Sequence, residues 1–352
     1  PSTDRVRPPC SHFKTCGGCA LQHASDTFLA DWKIEVVRKA LDAQGLRAEF
    51  RPIATSPAQS RRRATFTGRR TKKGAMVGFH SRGSDALVAI PGCTLLHPDI
   101  MAGLPALEAL CRLGASRTTS ILVSVTQSAY GLDVDVRDAR PADGPMLAQL
   151  GILTEQLRLA RLCWNGDVVA TRTAPAQVFG PAKVTPPPGG FLQATEAGQA
   201  ALTDAVTQAV GPARHIVDLF SGCGTFTLPL AQKAEVLAVE SDALALAALD
   251  AGWRMAQGLK TVNTAVRDLF RRPLEPVELN KFDAVVIDPP RAGAKAQFEA
   301  LAASSVARIA AVSCNPVTFA RDAAILVAAG YQIDWIQVID QFRWSPHVEL
   351  VA

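Results

Sequence analysis

Short apolar runs alternate with amphipathic stretches over the second half of the chain. Strands that alternate with helices in this way predict a doubly wound, mostly parallel sheet in a Rossmann-like α/β domain. The runs at 331–339 and 347–352 are joined too briefly for a helical crossover, so we predict that the last strand is antiparallel. The pattern predicts the other strands at 215–220, 235–240, 261–266, 282–287 and 308–313, and helices at 225–234, 242–258, 295–304 and 317–329.

The first half of the chain follows a different pattern. From 61 to 90, apolar and polar residues alternate between glycine turns, which predicts β-hairpins. Further strand patterns follow at 120–126 and 131–137. Helical spacing predicts helices at 26–41, 99–113 and 142–161.

These patterns divide the chain into three expected parts. A chain of 352 residues is long enough for more than one hydrophobic core. A Pro- and Gly-rich stretch at 175–190 predicts a linker before the doubly wound part. The expected parts are a cysteine-bearing segment at 1–50, a β-rich central domain at 51–185 and an α/β domain at 186–352.

Composition places the chain among globular proteins. Its hydrophobic content is 48%, but no segment approaches the roughly 20 consecutive apolar residues that span a bilayer. The N-terminus also lacks the apolar core of a secretory signal. We therefore expect a cytoplasmic monomer that has no membrane partner.

Positive charge is concentrated in one region although the formal net charge is only +5. Residues 51–82 contain nine basic side chains and no acidic one. Such a region favours a polyanionic partner, because each phosphate contact gains from counterion release, and the alternative is a solvated basic face. The candidate RNA-binding residues are Arg61, Arg62, Arg63, Arg69, Arg70, Lys72 and Lys73.

Three of the eight cysteines lie close together near the N-terminus. Cys10, Cys16 and Cys19 form a cluster with two glycines between the last pair, and Cys93 lies in a later turn. Four such thiols suit an iron–sulfur cluster or a structural zinc ion. Three close cysteines plus a distant one favour a [4Fe–4S] cluster over zinc.

A glycine-rich turn after the first strand of the α/β domain predicts a cofactor site. The segment Asp218-Leu-Phe-Ser-Gly-Cys-Gly-Thr-Phe226 lets a ligand approach the backbone closely. Glu240, at the end of the next strand, can accept hydrogen bonds from both ribose hydroxyls, and Asp268 can bind an adenine amino group. The turn departs from the dinucleotide pattern, which favours a nucleoside cofactor such as S-adenosylmethionine.

Two later strands end in side chains that can do chemistry. Asp288 and Cys314 each follow an apolar run, so both are expected at one cleft. A thiolate that adds to carbon 6 of a uracil activates carbon 5 toward a methyl donor, and a base must then remove the carbon-5 proton. We predict that Cys314 is the nucleophile, that Asp288 binds the base edge, and that Glu349 is the base, with His347 as the alternative.

These motifs resemble those of the RNA uracil-5 methyltransferase family. The resemblance covers nearly the whole chain and rests on Cys16-Gly-Gly-Cys19, on the turn at 218–226, on Asp288-Pro-Pro-Arg291 and on Ser313-Cys-Asn-Pro316. It implies a class I methyltransferase domain and the iron–sulfur branch that modifies 23S ribosomal RNA. The implied site residues are cofactor contacts at Gln193, Phe220, Thr225, Glu240, Asp268 and Asp288, the nucleophile Cys314, the base Glu349, and cluster ligands Cys10, Cys16, Cys19 and Cys93.

The chain departs from the family pattern in three places. Thr195 stands where the family usually has Asn, and the loop before Glu349 reads Phe342-Arg-Trp-Ser-Pro-His-Val-Glu349 instead of Phe-Pro-x-Thr-x-His-x-Glu. Many members also carry an N-terminal oligonucleotide-binding barrel, and nothing ahead of Pro1 supplies one. RNA affinity would then depend on the basic region or on a segment ahead of Pro1.

Two other functions are compatible with these residues. A cytosine-5 methyltransferase uses the same thiol chemistry and would differ in the methylated nucleoside that it forms. A non-catalytic RNA-binding or ribosome-assembly protein would need only the basic region and the cysteine cluster. Turnover of the cofactor by the purified protein separates this second alternative from an enzyme.

Overall fold

The computed structural model describes residues 2–352, and Pro1 lies outside the described residues. The first half of the chain forms α1 (Asp26–Asp42), β1 (Phe50–Thr55), β2 (Arg63–Arg70), β3 (Ala75–His80), β4 (Leu87–Ala89), α2 (Pro98–Gly114), β5 (Ile121–Ser128), β6 (Gly131–Arg137), α3 (Gly144–Gln156), β7 (Arg161–Trp164), β8 (Asp167–Thr171), β9 (Gln177–Phe179) and β10 (Ala182–Val184).

The second half alternates helices and strands. Its elements are α4 (Glu196–Val210), β11 (His215–Leu219), α5 (Thr227–Leu230), β12 (Glu235–Glu240), α6 (Ala243–Met255), β13 (Val262–Val266), α7 (Pro276–Leu279), β14 (Ala284–Ile287), α8 (Lys295–Ala302), β15 (Arg308–Ser313), α9 (Pro316–Ala328), β16 (Ile336–Asp340) and β17 (Glu349–Val351).

Eight strands form one sheet, in the order β1-β16-β17-β15-β14-β11-β12-β13. Its neighbouring strands are parallel, except that β17 runs antiparallel between β15 and β16. Successive residues of β11 enter different cores, because Ile216 packs on the side of α4 and α6 whereas Val217 packs on the side of α8 and α9. The predicted Rossmann-like fold with an antiparallel last strand is confirmed.

The first strand lies in this sheet and not in the central domain. β1 pairs in parallel with β16, and Val37 and Leu41 of α1 join the same core as Val338. The predicted boundary between residues 50 and 51 therefore falls inside a strand of the α/β sheet. The sequence pattern did not reveal this, because β1 is a short edge strand interrupted by Pro52.

A second sheet of seven strands follows the order β4-β3-β2-β5-β6-β7-β8. Phe66 and Val123 from the sheet are fully buried against Leu107 and Leu110 of α2. Sequence spacing predicted a helix to residue 161, but α3 ends at Gln156 and β7 then pairs in parallel with β6. The stretch predicted as a linker contains the small hairpin formed by β9 and β10.

A buried ion pair joins the N-terminal helix to the end of β16. Lys33 is fully buried, and its Nζ lies 2.5 Å from Asp340 Oδ1 and donates to the Phe342 carbonyl at 3.2 Å. Burial lowers the pKa of Lys33, and the Asp340 carboxylate opposes that shift. The pair therefore fixes α1 against the chain where it leaves β16.

Within residues 2–352, no helix combines the length and the apolar character needed to cross a bilayer.

Replacing Lys33 with alanine should lower the free energy of unfolding by about 3 kcal/mol or more, because the Asp340 carboxylate stays buried without its cation. Urea denaturation measures the change. Lys39→Ala, on the exposed side of the same helix, is the matched control and should stay within about 0.5 kcal/mol of the unmodified protein. Equal losses in the two variants would contradict the role of the ion pair.

Candidate active site

Three reactive side chains meet at one edge of the eight-stranded sheet. Asp288 follows the end of β14 and Cys314 follows the end of β15, so both lie at the carboxyl edge. Glu349 is the first residue of β17, and its strand runs in the opposite direction between β15 and β16. We call Asp288, Cys314 and Glu349 the active-site edge.

The side chains of the active-site edge are close enough for the charge of one to shift the pKa of another. Burial raises the pKa of Cys314 to about 11, and the carboxylates of Glu349 and Asp288 add to the rise. Burial also raises the pKa of Asp288 well above its usual range, with the Glu349 and Asp218 charges as further causes. For Glu349, burial raises the pKa to about 7, while a hydrogen bond from Gln341 and the charge of Arg291 oppose the shift.

Arg291 supplies positive charge to the active-site edge. It favours the anionic forms of both Cys314 and Glu349. Its Nη1 also lies 3.1 Å from His347 Nδ1, which must accept the hydrogen bond because a guanidinium has only donors. Although His347 is exposed overall, partial burial and the charge of Arg291 lower its pKa. Glu349, in contrast, is buried at the active-site edge, and its charge acts on Cys314.

The glycine-rich turn after β11 forms a polar cradle. Phe220, Gly222 and Gly224 all have positive φ, and a Cβ on Gly224 would lie 2.8 Å from the Leu249 side chain. Asp218 is fully buried with a pKa raised to about 7, mainly by burial, and its Oδ2 accepts from the Thr227 hydroxyl at 2.6 Å.

Two buried polar atoms in this cradle have no partner. Asp218 Oδ1 and Ser221 Oγ are buried without a hydrogen bond. Unpaired buried polar atoms are costly, so their presence beside a glycine turn fits a bound polar ligand such as S-adenosylmethionine. Neither residue was among the predicted contacts, although both lie in the predicted motif.

The two carboxylates predicted to bind the cofactor follow neighbouring strands, with Glu240 at the end of β12 and Asp268 after β13. Glu240 Oε2 accepts from the Gly222 N–H at 3.1 Å, and its Oε1 accepts from the Ser241 N–H at 2.6 Å. Asp268 Oδ1 accepts from the Phe270 N–H at 3.0 Å. The carboxylates are thus held in place with acceptor capacity left for a ligand.

The remaining predicted cofactor contacts lie in the turn, at Phe220 and Thr225, and ahead of α4, at Gln193. The rings of Phe220 and Phe270 are 5.5 Å apart, and Phe270 is 53% exposed, which leaves an aromatic surface beside Asp268. Thr225 is half-buried within the turn. Gln193, ahead of α4, is 3% exposed, and its Oε1 accepts from Gln341 Nε2 at 2.6 Å.

The cysteine segment lies against the end of β3. The backbone of Cys16 pairs with that of Ser81 in an isolated antiparallel β-bridge. The Gly17 N–H donates to the His80 carbonyl at 2.9 Å. A Cβ on Gly17 would lie 2.8 Å from the same carbonyl oxygen, so a side chain does not fit there. Burial raises the pKa of Cys19 to about 11, with the other three predicted ligands Cys93, Cys16 and Cys10 among the causes.

The four thiols therefore lie within electrostatic range of one another. Cys93 has a raised pKa as well, first through burial and then through Cys10 and Cys16. Over residues 2–352, however, no three His, Cys, Asp or Glu side chains are grouped closely enough to hold a single metal ion. The thiols are near each other but do not form a compact one-ion site.

A cleft of about 610 Å³ lies between the cysteine segment, the central sheet and the loop that leads to Glu349. Arg61 and Arg63 line it, and the Arg63 guanidinium lies 5.2 Å from the ring of the exposed Phe191. Gln193 and His347 line the same cleft. The cleft thus combines basic and aromatic side chains, a combination that suits single-stranded nucleic acid. Gln341 lines the cleft and donates to Glu349 of the active-site edge.

One predicted RNA contact is a structural residue instead. Arg62 is 2% exposed, and its guanidinium donates to the Gln193 carbonyl at 3.1 Å and to Gln199 Oε1 at 2.7 Å. It directly precedes β2 and points toward Gln193 and Gln199 instead of lining the cleft. The prediction that Arg62 binds phosphate is therefore wrong.

The other basic side chains differ in exposure. Arg69 is half-buried, and its Nε donates to Ser120 Oγ at 3.1 Å. Arg70, Lys72 and Lys73 are exposed at the turn between β2 and β3. The predicted basic surface is thus formed by the turn and by the two cleft arginines.

Comparison with known proteins places these features in a family context. Residues 189–351 match the tRNA (Uracil-5-)-methyltransferase family. The chain is 43% identical to an uncharacterized RNA methyltransferase of Rhizobium meliloti, over 100% of this chain and 86% of the relative. It is 34% identical to the 23S rRNA (uracil(1939)-C(5))-methyltransferase of Dechloromonas aromatica, over 100% of this chain and 86% of the relative.

A solved structure agrees with these relatives. The fold matches the Pyrococcus abyssi tRNA (uracil-54, C5)-methyltransferase in complex with S-adenosyl-L-homocysteine, with a TM-score of 0.74 and 25% identity. The match covers 100% of this chain and 85% of that chain.

Substitutions of Arg62 and Arg70 should have different effects, because Arg62 stabilises the fold and Arg70 is exposed to an RNA partner. Arg62→Met should destabilise the protein by about 3 kcal/mol, because it leaves buried acceptors without their charged donor. Arg70→Ala should leave unfolding unchanged and weaken RNA binding, with a shallower salt dependence. Thermal unfolding and RNA titration at two salt concentrations measure both effects. A stable Arg62→Met protein with weakened RNA binding would reverse the assignment.

Proposed function

The chain belongs to the tRNA (uracil-5-)-methyltransferase family of RNA methyltransferases, and we propose that it methylates carbon 5 of a uracil in 23S ribosomal RNA with S-adenosylmethionine as the methyl donor. The observation that carries the proposal is the convergence of Cys314, Asp288 and Glu349 beside the glycine-rich cradle. The ribosomal target is supported by the 34% identity to the Dechloromonas aromatica enzyme.

Cys314 begins the reaction by forming a bond from its sulfur to carbon 6 of the uracil. The electron pair of the ring double bond moves toward O4, which makes carbon 5 nucleophilic. Arg291 favours the required thiolate against the neighbouring carboxylates. S-adenosylmethionine, when bound, would supply the methyl group: a bond from carbon 5 to the methyl forms as the bond from the methyl to the sulfonium breaks, and the sulfur keeps that electron pair as a neutral thioether.

We assign Asp288 a hydrogen-bonding role at the base, because burial raises its pKa well above its usual range and so favours the protonated carboxyl. A protonated carboxyl can donate a hydrogen bond to a carbonyl oxygen of the base as negative charge develops there. Asp288 would thus hold the ring beside Cys314 and stabilise the enolate.

Glu349 completes the reaction by accepting the proton from carbon 5. The electron pair of that C–H bond restores the ring double bond, and the bond between carbon 6 and Cys314 breaks to release the thiolate. A raised pKa makes Glu349 a stronger base than an ordinary carboxylate, while it is still largely ionised above about pH 7.

The cradle residues would hold the cofactor in the predicted manner. We assign the ribose hydroxyls to Glu240 and the adenine amino group to Asp268, with Phe220 and Phe270 beside the adenine. Asp218 and Ser221 offer their unpaired oxygens to polar groups of the methionine part. Thr225 and Gln193 are the remaining contacts.

The target base would have to leave its helix or loop to reach the active-site edge. The cleft lined by Arg61, Arg63 and Phe191 suits the flanking nucleotides. One chain supplies all the groups in this scheme, which supports a monomeric enzyme.

We assign a [4Fe–4S] cluster to Cys10, Cys16, Cys19 and Cys93. A zinc ion needs four ligands within about 2.3 Å of one point, whereas each thiolate of a cluster binds a different iron atom. The charges of Cys10 and Cys16 act on both Cys19 and Cys93, which supports a site that all four thiols share. Its role would be structural, because the segment packs against the loop that leads to Glu349.

Cys314→Ala should abolish methylation and leave S-adenosylmethionine binding intact, because the thiol acts on the uracil and not on the cofactor. Glu349→Gln should accumulate a covalent protein–RNA adduct, since release needs the base. Denaturing gels detect the adduct, and mass analysis of nucleosides distinguishes 5-methyluridine from 5-methylcytidine. Full activity of Cys314→Ala would refute the scheme.

Protein purified without oxygen should contain about four iron and four sulfide per chain and show a broad visible absorbance band. Cys16→Ser should lose both, whereas Cys163→Ser, at a buried thiol of the central sheet, should keep them. Stoichiometric zinc without sulfide would show that the metal assignment is wrong.

A further inference from the structure

Gln341 lies between two residues of the proposed site. It follows the end of β16 and is 2% exposed. The position was not singled out by the sequence motifs, and it directly precedes the segment where the chain departs from the family pattern.

The orientation of the Gln341 amide is determined by the main chain. The Ala194 N–H lies 2.7 Å from one terminal atom, which must be the carbonyl oxygen because a backbone N–H can only donate. The amide nitrogen therefore faces the opposite direction. It donates one hydrogen to Gln193 Oε1 at 2.6 Å and the other to Glu349 Oε2 at 2.7 Å.

This arrangement also determines which end of the Gln193 amide, the oxygen or the NH₂ group, is available to a ligand. Its oxygen is occupied by Gln341, so its NH₂ group points elsewhere and can donate to a bound acceptor. Gln341 thus makes Gln193 a hydrogen-bond donor toward the proposed cofactor site, and it also donates to Glu349, the proposed base.

Glu349 depends on this hydrogen bond because its other neighbours are mostly acidic. The groups that face it are the Asp288 carboxyl, the Cys314 thiol and the Arg291 guanidinium. Of these, Arg291 alone favours the ionised form. The hydrogen bond from Gln341 adds to that effect and lowers the pKa of Glu349.

Close packing holds Gln341 in this position. A Cβ on Gly198 of α4 would lie 2.6 Å from Gln341 Cβ and 2.8 Å from Thr195 Oγ1. Thr195, where the family usually has Asn, bonds instead to the Gly198 N–H at 2.9 Å and to Ser56 Oγ at 2.7 Å. The amide therefore has little freedom to turn.

We propose that Gln341 is a positioning residue that holds Glu349 ionised and correctly placed while it fixes the amide of Gln193 toward the cofactor. The inference rests on the proposed function for the role of Glu349 as a base. Its link to Gln193 concerns binding alone and does not depend on catalysis.

The pH dependence of kcat/KM tests the link to Glu349. Because Glu349 must be ionised to accept a proton, activity should fall as the pH drops through its pKa of about 7. Gln341→Met removes the donor and should move this ascending limb upward by about one pH unit. Gln341→Glu keeps an oxygen that can accept from the Ala194 N–H, but it places a second carboxylate beside Glu349. The ascending limb of this variant should therefore move upward by at least the same amount.

Equilibrium binding of S-adenosylmethionine tests the link to Gln193. Both Gln341 variants should raise the Kd about tenfold, the effect of losing roughly one oriented hydrogen bond. Gln297→Met is the matched control, because Gln297 is equally buried but bonds to Leu274 N–H and carbonyl away from the site. It should change neither the limb nor the Kd.

The proposal is supported if the ascending limb of the pH profile and the Kd for S-adenosylmethionine both shift in the two Gln341 variants and neither shifts in Gln297→Met. Unchanged values in both Gln341 variants, or an equal shift in Gln297→Met, overturn it. If the unmodified protein makes no 5-methyluridine at any pH, the proposed function fails instead. In that case the Kd measurement alone still decides whether Gln341 positions Gln193.

Discussion

The reversed direction of β17 is the constraint on which the active-site edge depends. A doubly wound sheet places residues that follow its parallel strands at one edge, which accounts for Asp288 and Cys314. A third group must reach the same place from elsewhere. Because β17 turns back between β15 and β16, its first residue, Glu349, begins at that edge beside the end of β15. A parallel strand in this position would have left its first residue at the opposite edge.

This convergence has an electrostatic cost. Two carboxyls and a thiol are buried together, and the pKa of each is raised as a result. Arg291 and the amide of Gln341 offset part of that cost but do not remove it. The excess of acidic groups favours a ligand that brings positive charge, such as the sulfonium of S-adenosylmethionine. The same environment makes Glu349 basic enough to accept a proton from carbon.

Sequence patterns located Asp288 and Cys314 at one edge of the sheet, because position after a parallel strand determines where a side chain lies. The same patterns did not predict positions that depend on tertiary contacts. The edge strand β1 has no strong alternation, and its place beside β16 depends on packing of α1. Arg62 belongs to a basic run, yet its hydrogen bonds to Gln193 and Gln199 hold it in the interior. Gln341 could not be found because a single buried amide has no sequence signal until its partners are known.

The tie between α1 and the loop ahead of β17 joins the two ends of the chain. Lys33 and Asp340 are 307 positions apart, and the Trp344 carbonyl accepts from the N–H groups of Ala20 and Leu21. At a synthesis rate of about 5–20 residues per second, α1 waits roughly 15–60 seconds for its partners. Its apolar face, which includes Val37 and Leu41, lacks its contacts with α9 and β16 during that time. The active-site edge and the helix that supports it therefore reach their final arrangement only after β16 and β17 have been made.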